Sequence, residues 1–264
     1  MSIEPKIHGL DPMYFDRRRS VEGALKWSGV ISDPRLVVDI GANVGQTLES
    51  FLSWWPGARC SSLEPLPDAF AELQGVVSKY SGRAEAINCG VGSKPGKLTL
   101  NASNTQSTTS SFHKLNKSAE TAQAHHGLRS TPSFLELGAE DNYEVEVSVE
   151  KLDDILTSSK NKSATWFNES GVDILKIDTQ GWELEVLRGA TEVLKRTKVV
   201  LTEWQFDDIY GKPPPIHELD KILSDAGFRF WDISHIYKDL TTMRTLWVDL
   251  IYARPSPQRM KIHR

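Results

Sequence analysis

Four acidic residues stand where apolar runs end and a buried strand would release the chain: Asp39 in "VVDIGANVGQT", Glu64 in "CSSLE", Asp178 in "VDILKIDTQG" and Glu203 in "VVLTEW". Ligands of open α/β sheets bind beyond the carboxyl ends of the strands, so carboxylates at those ends can meet a ligand. After Asp39, Gly41 and Gly45 let the backbone pass close to a bound group, Ala42 is small, and Asn43 is among the few non-glycine residues that tolerate positive φ. The spacing is not the G-x-G-x-x-G that seats a pyrophosphate on a helix N-terminus. A carboxylate at Asp39 would repel phosphate and suit an ammonium group, while Glu64 could accept both hydroxyls of a ribose. Together they describe a nucleoside site without phosphate; the alternative is a strand-turn-helix that merely needs its glycines. Along "LKID" successive side chains face opposite sides of a sheet, so Lys176 and Asp178 share one face and Leu175 and Ile177 the other. Asp178 then either works on a bound group or caps the helix that follows.

These residues need a scaffold, and from about residue 35 short apolar runs alternate with helix-period segments, the pattern of a doubly wound sheet. "RLVVDI", "CSSLE" and "AEAINCGV" read as the first three strands, with helices over "VGQTLESFLSWW" and from Pro67 through "DAFAELQGVVSKY". The alternation then breaks: "GKLTLNAS" is a strand, the Ser/Thr/Asn/Gln-rich stretch from 101 reads as a polar loop or lid, and "NYEVEVSVE" is an extra strand. It resumes with a short helix over "KLDDIL", the strand "VDILKID", one helix over "WELEVLRGATEVLKR" and the strand "KVVLTEW". The helix "IHELDKILSDAG" and the terminal strands "FRFWDI" and "TLWVDLIYAR" complete the chain. The expected organisation is a helical extension over 1–34, one domain over 35–254 with a polar insertion at about 101–140, and a tail over 255–264.

In "VVDIGANVGQT", "SLEPLPDAFAELQ", "INCGVGSKPGKLTL", "VEKLDDIL", "VDILKIDTQGWELEVLRGA" and "VVLTEW", taken in order, the chain resembles the FkbM family of S-adenosylmethionine-dependent methyltransferases. The resemblance implies a class I methyltransferase fold, a Rossmann-like α/β sheet of seven mostly parallel strands with helices on both faces and the last strand antiparallel. It implies S-adenosylmethionine as cofactor and O-methylation of a hydroxyl, usually on a sugar of a glycan, glycolipid or natural product. It places Asp39, Gly41, Ala42, Asn43 and Gly45 along the methionine portion, Glu64 on the ribose, and Asn88, Cys89 and Gly90 beside the adenine. Asn104, Ser110 and Ser111 would approach cofactor or substrate from the polar loop. Asp178 would lie near the transferred methyl and orient or deprotonate the acceptor hydroxyl, with Lys176 as its buried partner. The pattern departs at Gln180, where many relatives carry Glu in "KIDVEG", so any role needing a negative charge there is in question.

Glu203 is a second candidate acid or base, and Trp204 and Gln205 follow it toward the acceptor side. With Asp178 it offers oxygen ligands to a divalent cation, but the sequence presents no third acidic ligand, which favours a metal-independent reaction. His113, in the polar loop, is the first of the histidines to weigh as a general base; His125, His126, His217 and His235 follow. Trp204 and Trp231 are the aromatic candidates for an acceptor ring.

A chain of 264 residues, 39% hydrophobic, can bury a sizeable core. A formal net charge of -4 gives no global drive toward nucleic acid. Cys60 and Cys89 lie in strand-like contexts and read as buried thiols of a reducing, cytoplasmic compartment. No apolar run is long enough to cross a bilayer. The competing readings are a nucleoside-binding module without catalysis and a dinucleotide dehydrogenase, the latter disfavoured by the glycine spacing and Asp39.

Overall fold

The computed structural model describes residues 21–27, 30–103, 107, 110–114, 142–208, 210–238 and 243–255. The extra length of the polar loop beyond Lys114, with His125 and His126, and the candidate Asn104 lie outside the described residues. Seven strands form one sheet in the order β3-β2-β1-β7-β8-β10-β9. They are β1 (Leu36–Ile40), β2 (Arg59–Leu63), β3 (Ala84–Ile87), β7 (Val172–Ile177), β8 (Thr197–Gln205), β9 (Arg229–Lys238) and β10 (Thr245–Ala253). The first five pair in parallel, and β10 runs antiparallel between β8 and β9. This is the class I methyltransferase sheet that the family resemblance implies.

The central strands are buried on both faces, and their alternate residues feed two cores. Val38, Ile40, Leu175 and Ile177 pack into one cluster; Val37, Ile174, Val199 and Leu201 pack into the other. Helices cover both: α1 (Val21–Trp27), α2 (Gln46–Trp54), α3 (Pro67–Ser78), α4 (Leu152–Ile155), α5 (Lys162–Ser170), α6 (Glu183–Arg188), α7 (Thr191–Lys195) and α8 (Ile216–Asp225). Pro67 opens α3 as expected, since its missing N–H costs nothing there.

Three elements differ from the sequence expectation. The run "AEAINCGV" is two strands, because Asn88 Nδ2 donates to the carbonyls of Glu64 (2.8 Å) and Pro65 (3.2 Å) and pulls the chain away from the sheet. Gly90–Val91 (β4) instead joins β5 (Gly96–Ser103) and β6 (Asn142–Glu150) in a second, three-stranded sheet. The single helix expected over 182–196 breaks at Gly189, where any Cβ would sit 2.0 Å from the Gly92 carbonyl oxygen. Its second half, α7, begins where the Asp153 carboxylate accepts the backbone N–H groups of Glu192 and Val193. Helix α5 has no counterpart in the sequence expectation; its N-terminus is held by Glu85, which accepts from Lys162 N and Ser163 N at 2.8 Å each.

Candidate active site

The two turns that follow β1 and β7 meet backbone to backbone. Asp178 N donates to Ile40 O at 3.0 Å, and a Cβ on Gly41 would lie 1.9 Å from the Asp178 carbonyl oxygen. Gly41 (φ 78), Asn43 (φ 48), Gln180 (φ 53) and Gly181 (φ 95) supply the left-handed backbone these turns require.

A cavity of about 260 Å3 opens over the strand ends. Gly41, Asn43, Glu64, Cys89, Gly90 and Ser110 line it, with Pro65, Val91 and Phe112. Asp178, Gln180, Glu203 and Gln205 line the same cavity, with Tyr210 and Trp247. The Glu64 carboxylate is buried at the end of β2 and accepts the N–H groups of Asn43 and Leu66, at 2.8 Å each. Burial pushes its carboxyl up to about 7, more than those two donors pull it down. The Cys89 thiol is likewise pushed up by burial, to about 12, and both cysteines are free and buried.

Asp39 is fully buried and does not line the cavity. The parallel register sets it beside Lys176, whose Nζ lies 3.3 Å from Asp39 Oδ1 and donates to Asp178 Oδ2 at 3.3 Å. Neither Asp39 oxygen has a hydrogen-bond donor in proper geometry. Burial raises the Asp39 carboxyl above its usual range, against the pull of the Lys176 charge. Burial disfavours the Lys176 charge, yet Asp39 and Asp178 outweigh it and hold the ammonium above its ordinary value. Ala42 is also core, and Gly45 opens α2 against Leu73.

Asp178 does not cap the following helix. That turn is closed by Glu183, which accepts from Thr179 N (3.0 Å), Thr179 Oγ1 (3.1 Å) and Gly181 N (3.1 Å) and is pushed up to about 7 by burial. The Asp178 carboxylate, about one-third exposed, accepts instead from Lys176 and from Gln180 Nε2 at 2.8 Å. Glu203 Oε1 accepts from Gln180 Nε2 (3.0 Å) and Gln205 Nε2 (3.1 Å). Burial, then the Asp178 charge, holds the Glu203 carboxyl well above the usual range.

His113 and Trp204 stand apart from this group. Both line a second cavity of about 420 Å3 that shares Gln205 and Tyr210 with the first. The His113 ring packs on Trp182, centroids 5.2 Å apart. Ser111 is buried and donates from Oγ to the Gln180 carbonyl oxygen at 2.7 Å. Trp231 is exposed on the edge strand β9, His217 is exposed, and His235 pairs with Asp249. Tyr210, Phe112 and Trp247 had no signal of their own in the sequence; Tyr210 lies in the "FDDIYGKPPP" loop that follows β8.

The first cavity fits a nucleoside that carries positive charge. Its lining includes the carboxylates of Glu64, Asp178 and Glu203 and, among the described residues, no lysine or arginine. A pyrophosphate there would find acidic side chains and no cation on the cavity wall to neutralise it, whereas a sulfonium and an ammonium group would need none. Among the described residues no cluster of three His, Cys, Asp or Glu side chains is set to hold a metal ion, and no helix is long and apolar enough to cross a membrane. The Methyltransferase FkbM domain model matches residues 39–230. The chain belongs to the FkbM methyltransferase family.

Methyltransferase sdnD of Sordaria araneosa is 29% identical to this FkbM protein over 219 residues, covering 80% of this chain and 76% of sdnD. The 2-O-methyltransferase NoeI of Sinorhizobium fredii (strain NBRC 101917 / NGR234) is 24% identical over 196 residues, covering 72% and 71% of the two chains. A solved S-adenosylmethionine-dependent methyltransferase from Clostridium acetobutylicum ATCC 824 covers 94% of each chain at 7% identity and a TM-score of 0.46. This FkbM protein is thus a catalytic methyltransferase that uses S-adenosylmethionine.

Proposed function

We propose that the enzyme methylates a hydroxyl oxygen, that of a sugar, and that Asp178 accepts the hydroxyl proton. The observation that carries this reading is the Asp178 carboxylate on the cavity wall, held through both oxygens by Lys176 and Gln180. The name of NoeI, a 2-O-methyltransferase, supports oxygen as the acceptor atom. Aromatic side chains of the cavity lining, Tyr210 and Trp247, suit a face of a sugar ring.

S-adenosylmethionine, when bound, supplies an electrophilic methyl group on a sulfonium sulfur. Glu64 would accept the ribose hydroxyls on the lone pairs that Asn43 and Leu66 leave free, and Gly41 and Asn43 would follow the methionine portion. Pro65, Cys89, Gly90 and Phe112 would flank the adenine. Asp178 would orient the acceptor O–H and take its proton as the oxygen–carbon bond forms, since transfer needs oxygen, methyl and sulfur in line. The walls around Gln205 and Tyr210 would exclude water and hold the rest of the acceptor.

A panel of alkyl glycosides incubated with methyl-tritiated S-adenosylmethionine tests the reading. The expected product carries label in a methyl ether, stable to alkali; label confined to alkali-labile esters or to amines would overturn it. Cofactor binding is expected to depend on pH through Glu64. Ribose hydroxyls donate to the ionised carboxylate, so S-adenosylhomocysteine should bind more tightly as pH rises through the folded value of about 7. The gain should be about tenfold from about pH 6 to about pH 8, read by titration calorimetry with a proton released on binding. Glu64→Gln should flatten that slope and weaken binding by about 10- to 100-fold; an unchanged slope would remove Glu64 from the ribose site.

A further inference from the structure

The Gln180 side chain uses its whole hydrogen-bonding capacity inside the site. Its two N–H donors serve Asp178 Oδ1 (2.8 Å) and Glu203 Oε1 (3.0 Å), and its Oε1 accepts from Tyr210 Oη (3.1 Å) and Gln205 Nε2 (3.3 Å). Turning the amide over would set its oxygen against the Asp178 and Glu203 carboxyl oxygens and its nitrogen against the Gln205 donor, which fixes its orientation. The backbone is equally fixed: Gln180 is left-handed at φ 53, Gly181 follows at φ 95, and Ser111 Oγ holds the Gln180 carbonyl at 2.7 Å. Two carboxyl groups at the ends of different strands, one of them partly exposed, converge on one nitrogen; an acidic pair this close ordinarily shares a proton or a cation.

We propose that Gln180 is a positioning residue: its carboxamide clasps Asp178 and Glu203 in the place where a shared proton or a divalent cation would otherwise sit. The proposal rests on Asp178 as the proton acceptor for its bearing on the reaction, though not for its geometry. The clasp keeps Asp178 aimed into the cavity and parts the two carboxylates by neutral hydrogen bonds. The elevation of Glu203 by burial and by the neighbouring Asp178 charge agrees with such crowding. The titratable groups around Gln180 are Asp178 at the end of β7, with Lys176 behind it, Glu203 on β8, the Tyr210 hydroxyl, and Asp249 of β10, which lies cross-strand from Glu203 and pairs with His235 of β9; Glu183 closes the turn that carries it. A glutamate at 180 would put a third carboxylate oxygen where the amide nitrogen now stands, about 3 Å from two others, and would demand a proton or a cation.

Thermal melting of the full chain tests this without any acceptor. Wild type, Gln180→Glu and Gln180→Met are compared from about pH 5.5 to about pH 8.5, each with and without MgCl2. In both variants a carboxyl group keeps its proton more tightly when folded than when unfolded, so stability is retained at low pH and lost as pH rises. Both should lose about 5 °C more than wild type over that range, the size expected of a rise of about two pKa units. MgCl2 should restore Gln180→Glu and leave wild type unmoved. Melting points lowered equally at every pH, as lost packing alone would give, or variants that track wild type, would overturn the clasp. The outcome stands apart from catalysis: the expected melting behaviour with a fully active Asp178→Asn would remove the proton-transfer reading and keep the clasp, and the converse would remove the clasp alone.

Discussion

Asp178→Asn is expected to lower kcat for methyl transfer by about 10²- to 10⁴-fold, the range that a positioned proton acceptor contributes. Asparagine keeps the shape of the side chain and removes the charge, and with it the basicity, that would let it take the hydroxyl proton. It also sets a donor against a donor. Lys176 Nζ stands at one oxygen of Asp178 and Gln180 Nε2 at the other, so whichever way the asparagine amide turns, its NH2 meets an N–H. A loss of activity in Asp178→Asn alone could therefore come from displacement, and Asp178→Ala, which removes that clash, is measured beside it. Affinity for S-adenosylhomocysteine separates the causes, since Asp178 lines the same cavity as Glu64. A proton acceptor predicts that kcat falls much further than the affinity in both variants; a cofactor contact predicts that the two fall together. Turnover within about threefold of wild type in both variants would remove Asp178 from the chemistry, because no general base of ordinary efficiency is lost so cheaply.

The parts of the site that were legible in the sequence are those fixed by local pattern. Strand ends are visible where an apolar run stops at a charge, so Glu64, Asp178 and Glu203 could be placed at the rim of the sheet, and all three line one cavity. The glycines and Asn43 of the first turn announce positive φ by residue type alone, and they adopt it. What the sequence hid depends on partners far along the chain. Asp39 looks as exposed to a ligand as Glu64 does, but the neighbour that β1 takes on its other side is β7, and the register then gives Asp39 to Lys176. Helix α5 has no capping residue of its own at Asn161; its cap is Glu85, on β3. The break at Gly189 exists because Gly92 packs against it, a contact no helical periodicity encodes. Gln180 read as a lost carboxylate, whereas its meaning lies in the two carboxylates and the tyrosine that surround it in space.

The same long-range pairing makes Lys176→Met the substitution with the largest expected effect on stability. Lys176 is 14% exposed and lies between the carboxylates of Asp39 and Asp178, and Asp39 is wholly inaccessible. Methionine fills a similar volume and leaves Asp39 buried without a counter-charge, a change that costs about 3–5 kcal/mol. In a chain of this size that is a fall of roughly 10 °C in melting temperature. The sign of its pH dependence follows from Asp39. Burial already holds that carboxyl above its usual range, and removing the Lys176 charge raises it further. A carboxyl raised in the folded state stabilises below its unfolded value and loses that contribution as pH rises through the folded one. The deficit of Lys176→Met should therefore be small near about pH 5 and full near about pH 8. A deficit equal at both values would mean that the lysine stem, and not its charge, supports the strand. Adding Asp39→Asn to Lys176→Met isolates the pair, because two partners removed together need not strand either member. The double variant should recover most of the loss seen at about pH 8 and melt with little pH dependence; additive losses would place Asp39 and Lys176 in separate roles despite their 3.3 Å contact.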